Sequence, residues 1–203
     1  MRNKRDRVIA PACLVVALAV AVGTLGCPSS KGERLVLEGG KRMDSTAALA
    51  AITRAEASGK LDGLEIEHYV AGGLPPPYYR SEQFRLFVDH GRDTLAFVVH
   101  DVTAKVKQGE QFPRHVYKLP ASPSDVKTIA RLVRESGAFK GAPPAEGERP
   151  HDSMRTELVA ILGGKEAKRV YAGAEPAELA KLREVIDPLI ARLKAHGVHQ
   201  VVR

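Results

Sequence analysis

Phe84-Arg85-Leu86-Phe87-Val88-Asp89-His90-Gly91-Arg92-Asp93-Thr94-Leu95-Ala96-Phe97-Val98-Val99-His100 is the stretch on which the fold turns. Phe84, Leu86 and Val88 alternate with Arg85, Phe87 and Asp89, the period-two pattern of a strand with one buried face. His90-Gly91-Arg92-Asp93 supplies turn chemistry and residues 94–100 a second strand, so the stretch predicts a β-hairpin. Upstream, Leu64, Ile66, His68 and Val70 alternate with Glu65, Glu67 and Tyr69, a half-buried strand ending at Gly72-Gly73. Downstream, Val102, Ala104 and Val106 alternate with Thr103, Lys105 and Lys107. The second hairpin strand is therefore expected either to continue past a bulge at His100-Asp101 or to turn there. A short strand around residues 115–119 follows.

Beyond this sheet the periodicity changes. Ser122 can cap a helix, Pro123 suits its first position, Asp125 sits in the first turn, and Val126, Ile129, Ala130 and Val133 share one face before Gly137. Residues 140–153, with Gly141, Pro143, Pro144, Gly147 and Pro150, read as a loop. Residues 156–162 and 168–171 flank Gly163-Gly164 as a second hairpin. The last element is a long helix opened by Pro176, with Leu179, Leu182, Ile186, Leu189 and Leu193 at three-four spacing, Lys181, Arg183, Glu184, Arg192 and Lys194 outside, and a kink expected at Pro188. Strands, helix, hairpin and helix in that order predict one α+β domain at residues 63–197, an antiparallel sheet with two main helices on one face. Residues 198–203 are an unassigned tail. About 135 residues suffice for one core without cross-links.

The N-terminal region differs from the rest. Residues 8–25 are almost wholly apolar and follow Arg2, Lys4, Arg5 and Arg7, a basic n-region before an apolar h-region. Removing residues 1–26 takes away four of the 31 basic and one of the 24 acidic residues, leaving 27 against 23 and a net charge of +4 instead of +7. The remaining charge is scattered without a basic stripe or interleaved aromatics, which argues against nucleic acid as a partner. Both cysteines, Cys13 and Cys27, lie in or just after the apolar run, so the folded part has none with which to form an internal disulfide. Gly23-Thr24-Leu25-Gly26-Cys27 resembles the lipobox of bacterial lipoprotein precursors. The resemblance implies cleavage before Cys27, attachment of a diacylglyceryl group to its sulfur, and anchoring of residues 27–62 and the domain to a bacterial membrane, facing the periplasm or exterior. An uncleaved apolar anchor is the alternative, since about 18 apolar residues could just span a bilayer. Within residues 27–62, residues 28–43 read as a tether in which Leu35-Val36-Leu37 could add a short strand. The Ala-rich residues 45–57 have helical composition, with a thin apolar face, and stop at Gly59, so this helix either packs on the domain or spaces it from the membrane.

His68 lies on the apolar side of its strand, where a hydrogen-bonded core histidine is the commoner reading. Asp89-His90, His100-Asp101 and His151-Asp152 suit a divalent ion by type, but neighbours on a strand point to opposite faces, so each pair offers one ligand at most. No His-Glu-x-x-His helix, Gly-x-Ser-x-Gly elbow or mature cysteine pair is present, and Gly163-Gly164-Lys165 lacks the rest of a phosphate loop. No catalytic residue, metal or cofactor is therefore assigned. Gly72-Gly73-Leu74-Pro75-Pro76-Pro77-Tyr78-Tyr79-Arg80 stands apart: the prolines stiffen the backbone toward polyproline II, and tyrosine and arginine are enriched at binding hot spots. Leu74, Tyr78, Tyr79 and Arg80 are the candidate partner contacts, the alternative being a rigid connection whose tyrosines fold over the sheet edge.

The strand ending in Gly72-Gly73, Ile129-x-x-Leu132-Val133-x-x-Ser136-Gly137-x-Phe139, Asp152 before a strand, the Gly163-Gly164-Lys165 hairpin and the Leu179-x-x-Leu182 helix together resemble the layout of the emfourin-type inhibitors of metallopeptidases over residues 64–193. That resemblance implies the α+β fold. Two function classes follow: a lipid-anchored, non-catalytic module that binds a protein or envelope component, which is favoured, and an envelope hydrolase or metal-dependent enzyme using dispersed His and Asp residues. A cleft holding two or more of His68, His90, His100, His115 and His151 with an acid would favour the enzyme.

Overall fold

The computed structural model describes residues 41–72, 80–107, 110–140, 154–172 and 177–202. The predicted hairpin is present: β3 (Arg80–Asp89) and β4 (Arg92–His100) pair antiparallel with Phe84 opposite Phe97 and Leu86 opposite Leu95. Its two-residue turn puts His90 at φ 49° and Gly91 at φ 77°, the left-handed pair that matches the twist of flanking strands. Gly163 and Gly164, at φ 57° and 75°, repeat the device between β6 (Arg155–Leu162) and β7 (Lys165–Ala172). β2 (Leu64–Gly72) lies between the two hairpins, antiparallel to both β3 and β6. β5 (Arg114–Pro120) adds to β4, β8 (Val198–Val202) to β5, and the two residues of β1 (Lys41–Arg42) run parallel to β7. The sheet order is β1-β7-β6-β2-β3-β4-β5-β8.

The architecture is α+β, with an eight-stranded sheet and three helices among the described residues. The sheet is mixed where a wholly antiparallel one was expected, and the departure is confined to β1. Alternation through residues 102–106 does not become a strand: β4 ends at His100, the Asp101 carboxylate accepts from the Thr103 amide and hydroxyl, and the chain turns there. The expected tail is strand β8. It follows the third helix, α3 (Ala177–His196), through Gly197, where a Cβ would meet the Leu193 carbonyl oxygen at 2.5 Å and that of Lys118 at 3.0 Å. Only glycine allows so close an approach. The helix continues through Pro188 as one element. Residues 35–37 and the loop at 141–153 lie outside the described residues.

The Ala-rich segment is a domain helix rather than a spacer. α1 (Ser45–Ser58) buries Ala48, Ala51, Ile52 and Ala55, small side chains that let it come close, and Gly59 caps it at φ 71°. Arg134 of α2 (Pro123–Glu135) grips Glu56 with two hydrogen bonds, 2.6 and 3.1 Å, joining the two helices. That guanidinium holds the Glu56 carboxyl below its ordinary range. One cluster gathers the buried residues of all three helices with Leu64, Ile66, Phe84, Leu86, Leu95, Phe97, Leu158 and Ala160. The buried apolar residues that alternate with these, among them Phe87, Val98, Val116, Val159 and Ile161, stand outside it.

α2 starts as its sequence specifies. The Ser122 hydroxyl accepts from the Asp125 amide at 3.1 Å, the Asp125 carboxylate accepts from the Ser122 amide at 2.9 Å, and Arg192 of α3 donates to the same carboxylate at 2.8 Å. Burial pushes the Asp125 carboxyl up, but the bonds from Arg192 and Ser122 outweigh it and hold the group below its usual value. Asp125→Ala is expected to cost about 1–2 kcal/mol, the scale of a lost cap, as read by urea denaturation.

Candidate functional site

A cleft opens between α3 and the end of the sheet where β2 finishes and β3 begins. Its lining brings His68, Val70, Arg80, Glu82, Phe84 and Phe97 from β2–β4 against Arg183, Ile186, Asp187 and Ile190 of α3, enclosing about 280 Å³ including its open mouth. The register explains the gathering. His68 faces Phe84, Val70 faces Glu82, Gly72 faces Arg80 and Phe84 faces Phe97, so alternate residues of three strands share one side. Arg80 donates to Glu82 at 2.5 Å. Arg183 and Asp187 lie one helical turn apart, on either side of Ile186, which is 2% exposed.

Two guanidiniums, two carboxylates and an imidazole thus stand around an apolar floor of Val70, Phe84, Phe97, Ile186 and Ile190. Such a lining offers donors and acceptors together with apolar area, which is the chemistry for holding a mixed polar and apolar ligand in one orientation. Among the described residues that line it there is no Ser, Thr or Cys.

Of the candidate contacts, Arg80 is placed at this cleft. Leu74, Tyr78 and Tyr79 lie outside the described residues, as do Cys27, His151 and Asp152. Arg183, read as solvent-facing, is half-buried in the cleft wall. The signal available in the sequence was its position three residues before Ile186, at the edge of the apolar stripe.

Among the described residues, His68, His90 and His100 stand at separate places on the sheet, His115 and His199 form a pair, and His196 ends α3. His68 lies in the cleft, 5% exposed. His90 sits at the tip of a hairpin with its side chain 96% exposed. His100 closes β4, where burial and then the charge of Arg114 lower its affinity for a proton. His115 of β5 meets His199 of β8, Nδ1 to Nε2, at 3.0 Å. Among the described residues, no three His, Cys, Asp or Glu side chains converge in a way that could hold a metal ion.

Polar residues on the other side of the strands are more buried than alternation suggested. Glu67 is 3% exposed, Arg85 4% and Glu157 1%. Arg85 donates to Glu65 through both Nε, at 3.0 Å, and Nη2, and its Nε lies 3.0 Å from Glu67 Oε1. Burial first, and then the hydrogen bond shared with Glu65, push the Glu67 carboxyl up to about 8 against the pull of Arg85. Glu67 therefore favours its protonated form. Glu157 is held by Arg155 and, at 2.7 Å, by Lys168. The spacing of Glu65 and Glu67, opposite Arg85 on β3, was visible in the sequence, but their burial was not. A scan against protein-family models finds no match to this chain, and a search of curated proteins finds none.

Proposed function

We propose that this chain is a lipid-anchored extracytoplasmic module that binds a protein or envelope component without transforming it. The cleft between α3 and β2–β4 carries the reading: fixed charges of both signs and an apolar floor converge there, with His68 the one histidine in its described lining. We also infer that the three helices lie on one face of the sheet, because their buried residues share one cluster with a single alternation of strand residues. Such packing gives α3 a rigid bed and holds the cleft open at its side. Arg80 connects the cleft to the proline-tyrosine segment, whose stiffness reduces the entropy lost on binding and whose tyrosines add apolar area with a hydroxyl at the tip.

The binding test is a pull-down from envelope extract with the full chain, followed by affinity measurement for the captured partner. Tyr78→Ala with Tyr79→Ala is expected to weaken binding by about 1–4 kcal/mol while leaving the thermal midpoint nearly unchanged. A large midpoint drop with unchanged affinity per folded molecule would assign the tyrosines to the sheet edge and remove the binding-loop reading.

The anchor is part of the same proposal. Residues 2–27 carry the basic, apolar and cysteine pattern that resembles a lipoprotein precursor, and among the described residues no helix is long and apolar enough to cross a membrane. Cys27→Ser is expected to abolish metabolic labelling by a fatty acid and leave an unprocessed precursor. Undiminished labelling of that variant would refute lipidation at Cys27.

A further inference from the structure

We propose that His115 and His199 form a two-imidazole site for a divalent transition-metal ion, of the Zn²⁺, Cu²⁺ or Ni²⁺ class, at the β5–β8 edge of the sheet. His115 Nδ1 and His199 Nε2 are 3.0 Å apart across the two strands, with the rings parallel to within 3°. Two nitrogens bound at 2.0–2.1 Å to a common tetrahedral ion stand about 3.3 Å apart, so a few tenths of an ångström and a turn of the rings about χ2 convert the contact into a chelate. In the present contact one ring donates and the other accepts. On metal binding the donor's proton moves to its other ring nitrogen, so both facing lone pairs reach the ion and the pair keeps its protons.

The surroundings organise the pair. Tyr117 stacks on His199 with centroids 4.5 Å apart, and Phe97, 1% exposed in the core, stacks on Tyr117 at 6.4 Å. This ladder ties an exposed edge strand to the interior and reduces the freedom that the imidazoles would lose on ligation. His199 is exposed and His115 half-buried, which gives an ion an entry path and leaves room for water to complete its coordination. Asp101, whose amide donates to the Pro113 carbonyl at 2.8 Å, places a carboxylate near the same end of β5. Imidazole favours zinc, copper and nickel over magnesium and calcium. Because the two ligands come from different strands, the ion would clamp β8 to β5 and stabilise that edge by mass action.

The experiment titrates Zn²⁺ alone into the full chain and follows the imidazole resonances by NMR. Expected are joint shifts of His115 and His199 that saturate at one ion. His115→Ala and His199→Ala should each weaken binding by about tenfold or more, the low end of what even outer partners of a ligand contribute. His90→Ala should leave it unchanged. His199→Gln, which keeps a polar side chain on the edge strand, separates loss of a ligand from loss of β8, with thermal midpoints measured alongside. Resonances that do not move, that move independently of each other, or an affinity unaltered in the folded His199→Gln variant would each overturn the site.

Discussion

Ile186→Asp is expected to destabilise the protein by about 4 kcal/mol or more, which for a chain of this size lowers the thermal midpoint by roughly 10 °C or more. Ile186 is 2% exposed and stands in the α3 stripe with Leu179, Leu182 and Leu193, each 1% exposed or less. A carboxylate there loses its water and must either remain charged among Phe84, Phe97 and Leu182 or take up a proton. Arg183, three residues earlier, is half-buried in the cleft wall and already has its own contacts, so rescuing the new charge would disturb them. Glu184→Ala, on the exposed side of the same helix, should stay within about 0.5 kcal/mol. Thermal melts of the two variants read the contrast, and an unchanged midpoint for Ile186→Asp would place this side of α3 in solvent. Because Ile186 also floors the cleft, the substitution should abolish partner binding at temperatures where the fold survives.

Glu67→Gln is expected to remove most of a pH dependence of stability and to make the protein more stable than the parent at alkaline pH. In the folded chain the Glu67 carboxyl is pushed up to about 8, against about 4.5 for the free side chain, first by burial and then by the carboxylate of Glu65. The native state therefore holds a proton that the unfolded state has released. The contribution of Glu67 is complete below about pH 4.5 and is lost as the pH rises through about 8. Across that window the parent should lose on the order of 5 kcal/mol relative to the Glu67→Gln variant, whose amide keeps the shape of the protonated acid without titrating. Urea midpoints measured at several pH values for the two proteins give the difference directly. Parallel curves would mean that Glu67 is ionised in the fold, with Arg85 serving both carboxylates.

The elements themselves were legible where local chemistry decides them. The hairpin at His90-Gly91 follows from alternation on both sides of a residue pair able to adopt positive φ, and the start of α2 from Ser122, Pro123 and Asp125, whose reciprocal bonds close within four residues. The apolar stripe of α3 is likewise a property of spacing, and all five of its expected residues are buried. Alternation over residues 102–106 left open a continued strand or a turn at His100-Asp101, and the turn forms, because a strand needs a partner and the Asp101 side chain offers the backbone a turn.

Which residues from distant parts of the chain meet is set by strand register and helix packing. α1 has too little apolar surface to declare itself, and it is the closeness of Ala48, Ala51 and Ala55 to the core that makes it a domain helix. β8 is five residues with nothing to distinguish them until β5 provides a ladder, and only then does His199 come beside His115, 84 positions away. Glu67 was read as the wet side of a strand, yet its burial and protonation depend on Glu65 and Arg85 and on neighbouring strands that leave it little water. The cleft is the same case, since His68, Arg80, Glu82, Arg183 and Asp187 span more than a hundred positions and share a wall only through register and helix docking. Sequence determines period, turns and caps because those bonds span a few residues, whereas burial and convergence depend on contacts between segments far apart in the chain.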